Sequence, residues 1–283
     1  MKVKSLIVAL VLGIASLGYG QSADTLQKNV ATLTMQNRVT GTEGCKAARL
    51  YLEQKLTEMG YEVKPQGFKS NGWVAHNLLA IKKGPLDSVL VVGAHYDAVA
   101  GSPGADDNAS GTAMVLMLAE MLKDQTTRHT ISFQLYAGEE QGLIGSTFYC
   151  KNPLWPIDKH LFMLNFDMVG FLNSNEATIE QSPPVDDILK PLFEKYAYAR
   201  KITLRGGDNS DHAPFLAKGI PVVFLHTGLH AYYHKKTDTP DRLNYKGMED
   251  ICHYAYDLLI AVDKHDTPQY SLLEGLAPYE KPN

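Results

Sequence analysis

The sequence predicts a single α/β domain, a mixed and mostly parallel sheet with helices on both faces. Three observations carry this. The run Ser88–Gly93 is a continuous apolar stretch, as expected of a strand buried on both faces. From there on, helical and extended patterns alternate, which builds βα units and hence a largely parallel sheet. A chain of 283 residues, 45% of them hydrophobic, can also bury a sizeable core, and no repeat, low-complexity block or linker divides it.

Residues 1–20 place Lys2 and Lys4 ahead of an apolar run from Leu6 to about Leu17 and end in Gly18 and Gly20, the layout of a secretory signal peptide. The run is about a dozen residues against the roughly 20 that span a bilayer. Cleavage near Gly20 is therefore expected, with a domain at 21–283 that is secreted or periplasmic and carries no membrane segment. Leu26, Val30 and Leu33 recur at helical spacing and predict a helix over Asp24–Val39. Ala47, Leu50, Leu52 and Leu56 predict another over Gly44–Met59, stopped by Gly60. Strands follow at Tyr61–Val63, Asn77–Ile81 and Ser88–Gly93. Next come a helix at Gly111–Leu122, a strand at Thr130–Tyr136, a helix at Gly142–Tyr149 and a strand at Leu161–Phe166. Asp186–Ala199 reads as a helix, Val222–Leu225 as extended and Lys246–Val262 as a helix. The stretch 266–283, with three prolines, is expected to be an irregular tail.

A net charge of −4 gives no electrostatic footprint for nucleic acid. Cys45, Cys150 and Cys252 are too few for a disulfide scaffold and too far apart for a C-x-x-C site, so the fold rests on its core.

In α/β sheets functional groups gather where strands run into loops. Four such junctions here bear histidine or acid. Gly93 leads into Ala94-His95-Tyr96-Asp97 and on to the loop Gly104–Gly111, which contains Asp106 and Asp107. Tyr136 leads into Gly138-Glu139-Glu140, Phe166 into Asp167-Met168, and the segment beyond Leu225 reaches Tyr233-His234. Singly, each has an ordinary explanation: a satisfied histidine, a solvated acid pair, a helix cap. Together they would crowd mutually repelling acids that only a cation neutralises. Nitrogen and oxygen donors without thiolate suit zinc or another first-row divalent ion.

The motifs Gly93-Ala-His95-Tyr-Asp97, Gly104-Ala-Asp-Asp107-Asn-Ala-Ser-Gly111, Gly138-Glu139-Glu140, Asn165-Phe-Asp167-Met, Ser210-Asp-His212 and Tyr233-His234 before Thr237-Asp238-Thr239 occur in this order. On them the chain resembles the secreted bacterial two-zinc aminopeptidases, related to zinc carboxypeptidases, from about Asn77 to Leu243. The resemblance implies the single-domain zinc-exopeptidase fold and two zinc ions per chain. It implies His95 and Asp167 as terminal ligands of one zinc, Glu140 and His234 of the other, and Asp107 as the bridge. It further implies a cis Asp107–Asn108 peptide bond, Asp97 holding the other ring nitrogen of His95, and Ser210 as a partner at the His234 end. Two zincs about 3.5–4 Å apart can activate a shared water. Glu139, adjacent to a ligand, is left free as general base. Tyr233 resembles an oxyanion stabiliser, the alternative being an aromatic that merely packs beside a ligand. The implied substrates are peptides with a free N-terminus. A single-zinc glutaminyl cyclase is the neighbouring alternative, although such enzymes carry Trp where Tyr233 stands. A non-catalytic binding protein on the same fold would usually have lost ligands.

Overall fold

A computed structural model describes residues 22–70, 72–172, 178–182, 201–203 and 209–265. The segments expected as a signal peptide at 1–20, a helix at 186–199 and a tail at 266–283 lie outside the described residues.

Helix α1 (22–33) buries Leu26, Val30 and Leu33 along one face. It stops short of the predicted Val39 because the chain turns to send Arg38 inward. That guanidinium is buried and donates to the carbonyls of Leu33, Tyr96, Pro103 and Gly104. Helix α2 (Glu43–Glu58) starts at Thr42, whose hydroxyl accepts the Cys45 N–H as an N-cap. Its buried face is Cys45, Ala48, Leu52 and Leu56, whereas Ala47 and Leu50 are exposed. The predicted stripe is thus displaced at its start, since i, i+3, i+7 and i+11 from Cys45 keep to one side of a 3.6-residue helix.

Strands β1 (Glu62–Ser70) and β2 (Trp73–Lys82) form an antiparallel hairpin, in register from Glu62↔Ile81 to Ser70↔Trp73. Both are longer than hydropathy predicts. β1 is an edge strand with Lys64, Pro65 and Lys69 exposed, and backbone pairing rather than burial extends it. Strand β3 (Val89–His95), helix α3 (Gly111–Leu122), strand β4 (Thr130–Tyr136), helix α4 (Ile144–Lys151) and strand β5 (His160–Phe166) stand within about two residues of their predicted places. Strands β6 (Thr178–Ser182) and β7 (Lys201–Thr203) and the short helix α5 (Ala213–Leu216) are additions to the prediction. Strand β8 (Val222–His226) and helix α6 (Tyr245–Asp263) complete the described elements.

The sheet has eight strands in the order β1-β2-β4-β3-β5-β8-β6-β7. Its centre, β4-β3-β5-β8, is parallel throughout, while β2 runs antiparallel to β4, and β6 to β8. Leu90, Val92, Phe133, Leu164 and Val223 face one core with α1, α2, α3 and α6. Val89, Val91, Met163 and Val222 face the other with Tyr149 of α4 and Phe215 of α5. Helices therefore cover both faces, as predicted. Helix α3 is apolar on nearly every side because it lies against the sheet, α2 and α6 together. All three cysteines are buried free thiols.

Register decides where chemistry can occur. His95 pairs with Tyr136, Gly93 with Asn165 and Asn165 with Phe224, so four strands finish along one line. Everything that follows them emerges at the same carboxyl edge of the sheet.

Candidate metal centre

His95 ends β3, fully buried, and its backbone carbonyl accepts a hydrogen bond from Thr112 Oγ1 on α3 at 2.7 Å. Its Nε2 points into a ring of carboxylates: Asp167 Oδ1 at 3.3 Å, Asp107 Oδ1 at 3.4 Å and Glu139 Oε2 at 3.9 Å. The other Asp107 oxygen faces His234 Nε2 at 3.0 Å, and Glu140 Oε2 approaches the same nitrogen at 3.2 Å. The five residues predicted as ligands converge, with Asp107 between the two histidines.

Asp107 reaches that point through local backbone geometry. Between Gly104 and α3 the winding of Ala105–Ser110 is broken at Asp107 (φ −105°, ψ 91°) and Asn108 (φ −135°, ψ 48°), and the peptide bond joining them is cis, as the resemblance implies. Asn108 takes no place among the donors: its amide donates to the Phe166 carbonyl and accepts from Gly111 N–H and Met168 N–H. Gly104 has a left-handed φ of 64°, and a Cβ there would stand 2.3 Å from the Asp107 carbonyl oxygen. Gly111 is equally constrained, since a Cβ would meet the Phe166 carbonyl at 2.6 Å.

Asp97 lies 3.6 Å from His95 Nδ1, beyond a normal hydrogen bond. Its carboxylate also braces the next junction, accepting the N–H groups of Glu139 and Glu140 and the hydroxyl of Thr40. Ser210 departs from expectation. It accepts from Asn165 Nδ2 on β5 and draws the Asp167 carboxyl downward by a hydrogen bond, so it serves the Asp167 side, not the His234 end. The reason is β5, which carries Asn165 and Asp167 to the same strand end. Tyr233 stacks on His234 with ring centroids 3.7 Å apart.

Electrostatics follow from burial. Asp107 is pulled well below the usual carboxylate range: burial pushes it up, but hydrogen bonds from His234 and His95 prevail. Burial pushes Glu139 up to about 10 and Glu140 up to about 7, the charges of neighbouring acids adding to both. Burial likewise raises Asp167. His95 is raised well above the ordinary imidazole range, with Glu139 and Asp167 overcoming its burial, and His234 is raised by its bond to Asp107. Every one of these groups except Asp107 is thus biased towards its protonated form.

A divalent cation fits that demand. Ligand atoms at 2.0–2.1 Å around tetrahedral zinc stand roughly 3.4 Å apart, close to the separations above. Two groups hold donor atoms within 4.8 Å of one another, His95 with Asp107 and Glu140, and His95 with Glu139 and Asp167. Glu140 Oε1 is buried without a hydrogen-bond partner, an unsatisfied acceptor within a group of potential metal donors.

Sequence reasoning gives no role to Asp106, to His230 or to Asp238, although Thr237-Asp238-Thr239 stands in the last motif. Asp238 accepts the N–H groups of Asp106 and Asp107, and burial pushes its carboxyl up to about 6. The signals were the Asp106-Asp107 doublet and the four-residue spacing of His226, His230 and His234; Gly228 and the extended Val222–Leu225 already argue for a loop there, which the structure shows, and a loop leaves the partner of His230 unreadable.

Residues 77–259 match Peptidase family M28. Leupeptin-inactivating enzyme 1 of Streptomyces exfoliatus is 36% identical over 197 residues, 68% of this chain, which spans only 45% of that relative's length. Leucine aminopeptidase 1 of Arthroderma otae is 30% identical over 263 residues, 80% of this chain and 70% of its own length. Two solved structures share the fold equally well. BSAP, a zinc aminopeptidase from Bacillus subtilis, superposes with a TM-score of 0.75 at 18% identity, covering 89% of this chain and 95% of its own. Porphyromonas gingivalis glutaminyl cyclase gives 0.76 at 20%, covering 84% and 97%.

Proposed function

Since the chain belongs to peptidase family M28, a metallopeptidase family, we propose that it is an exported zinc aminopeptidase that releases N-terminal residues from peptides with a free α-amine. One observation carries this reading: Asp107 presents one oxygen to His95 and the other to His234, with a further acid beside each histidine. That is a donor set for two cations sharing one carboxylate. The aminopeptidase name of a relative that the chain matches over most of its length supports the substrate class. Export rests on the leader-like residues 1–20.

His95 and Asp167 would hold one zinc and Glu140 and His234 the other, with Asp107 offering one oxygen to each side. Two zinc ions bound there would polarise the scissile carbonyl and bring the pKa of a shared water towards neutrality. Glu139 Oε2, farther from His95 than the other carboxylates, is the proton acceptor. Bound cations would offset the burial, and the repulsion added by neighbouring acids, that hold this carboxyl protonated in the metal-free chain. Glu139 then takes the water proton and returns it to the leaving amine. Tyr233 is pushed above the ordinary phenol range by burial and the nearby acids, so it keeps its proton and donates it in a hydrogen bond to the developing oxyanion. Asp97 places a negative charge behind His95 and fixes the Glu139–Glu140 junction, and Ser210 steadies the Asp167 side.

Metal content per chain, measured with hydrolysis of a panel of aminoacyl anilides, tests the proposal. Two zinc ions and cleavage of a leucyl or alanyl anilide are expected, with no cleavage once the amine is acetylated. Ammonia release from a glutaminyl peptide without anilide hydrolysis would establish the cyclase instead. Zinc binding without either reaction would leave a binding protein.

A further inference from the structure

Tyr233 and His234 stand on a loop with little structure of its own. His234 has a φ of 58°, the left-handed region that favours glycine, and its side chain is 36% exposed. Something outside the loop has to hold it: Thr227 is bonded to the Met168 carbonyl and Ser102 Oγ donates to the Lys235 carbonyl at 2.9 Å, and carboxylates tie it on either side of His234. Beyond His234, Asp238 accepts the Asp106 N–H at 2.9 Å and the Asp107 N–H at 3.1 Å. Ahead of it, His230 Nε2 meets Asp106 Oδ2 at 3.0 Å, both side chains being almost wholly buried.

The proton in this second tie can be assigned. Tyr232 N–H donates to His230 Nδ1 at 3.2 Å, so Nδ1 is the acceptor and Nε2 carries the hydrogen given to Asp106. The opposite oxygen of Asp106 accepts from Gly170 N–H at 2.7 Å and Phe171 N–H at 3.2 Å. The carboxylate is therefore engaged on both sides, joining the loop to the chain just beyond β5. The Phe171 ring packs on the imidazole at 4.3 Å between centroids, and that of Tyr232 lies at 5.9 Å. His230 is thus spoken for by Asp106 and Tyr232, though it sits four residues from His234.

We propose that His230 is a positioning residue: its hydrogen bond to Asp106 sets the loop 227–234 against the segment that carries Asp107, so that His234 and Tyr233 meet the Asp107–Glu140 side of the centre. The proposal rests on the metal-centre reading above. Without the tie the loop populates other conformations, and the affinity of the outer zinc position falls by the fraction of time His234 is away.

Glutamine and asparagine separate the donor from mere bulk, because a Gln amide nitrogen falls near the place of Nε2 and an Asn amide near that of Nδ1. Zinc retention against a chelator, thermal midpoint of the metal-free protein and steady-state kinetics are measured for wild type, His230→Gln and His230→Asn. His230→Gln is expected to hold zinc within about threefold of wild type, and His230→Asn to hold one of its zincs roughly 10–100-fold more weakly, the range for lost outer-shell partners. In His230→Asn kcat falls more than KM rises, while the metal-free midpoints of the two variants agree. Equal zinc retention by the two variants would overturn the proposal, as would a metal-free midpoint lowered only in His230→Asn. An independent reading comes from ¹⁵N shifts of the imidazole in the wild-type chain: an Nε2–H tautomer at His230 is expected, and Nδ1–H refutes the tie even if neither variant folds. Wild type without zinc sinks the metal-centre reading; wild type with zinc and indistinguishable variants sinks only the role of His230.

Discussion

His95 and Asp167 grow from the ends of neighbouring parallel strands, whereas His234 stands on a loop that must be tied down. The inner pair is nearly closed to solvent, at 1% and 13% side-chain exposure, against 36% for His234. Strand backbone is positioned by ladder hydrogen bonds on both sides, so its terminal side chains inherit rigidity from the sheet. A loop ligand has only its own ties. The same donor chemistry is therefore built once into the scaffold and once onto it, and the outer position should be the more easily emptied of the two.

The largest effect that tests this contrast comes from the histidines. His95→Ala is expected to abolish hydrolysis and lose the inner zinc, leaving a zinc held by His234 that a chelator strips readily, while His234→Ala keeps the inner zinc, which a chelator removes slowly. Equal chelator sensitivity of the zinc left in the two variants would erase the distinction between scaffold and loop. Glu139→Gln is expected next in size: turnover falls at least about 100-fold, as for a lost general base, with zinc content unchanged. Glu140→Ala instead loses metal from the outer position, and equal metal loss in the two glutamate variants would show that they share one task. Asp97→Asn removes charge behind His95 and weakens acceptors for the Glu139 and Glu140 N–H groups, so zinc affinity should fall roughly 10–100-fold at the inner position, readable by chelator competition.

The smallest effect is a pH response of opposite sign with and without metal. Glu139 and Glu140 have raised carboxyls, and His95 and His234 raised imidazoles. All four make the metal-free native state bind more protons than the unfolded chain. The raised carboxyls cost stability progressively as pH climbs above their unfolded values, Glu140 until about 7 and Glu139 until about 10. The histidines contribute fully below their unfolded value near 6.5 and lose that contribution as pH rises through the folded one. Asp107 acts in the opposite sense, but only below the ordinary carboxylate range. Between pH 8 and pH 5 the metal-free midpoint should thus rise, by roughly a few degrees. The zinc-loaded midpoint should fall over the same interval, because protons displace the metal. Parallel curves in calorimetry would contradict the account.

The order of strands and helices through the centre of the chain was legible because β3 and α3 are apolar over nearly their whole length and β4 alternates apolar Ile131, Phe133 and Leu135 with polar residues, and burial leaves that signal strong. Where an element is half exposed the signal fails: β1 extends well beyond Val63 through exposed lysines, and Leu50 of α2 faces solvent at 49%. Strand-end acids and histidines stood out because their chemistry is costly unless something compensates it, and the motif order tied them together. Ser210 was assigned to the wrong side, since nothing in Ser210-Asp-His212 reveals that its neighbour is Asn165 on β5.

By itself, the sequence determined the class of fold, the donor types and the residues at which they occur, because hydropathy and side-chain chemistry are written residue by residue. Tertiary structure alone decided how those residues are held. Strand register brings His95, Glu139 and Asp167 to one edge, and the bends at Asp107 and Asn108 turn a carboxylate between two histidines. His230, Asp106 and Asp238 hold the loop through contacts spanning more than a hundred residues of chain. Hydrogen bonds depend on direction as well as composition, and direction is settled only once the sheet has closed.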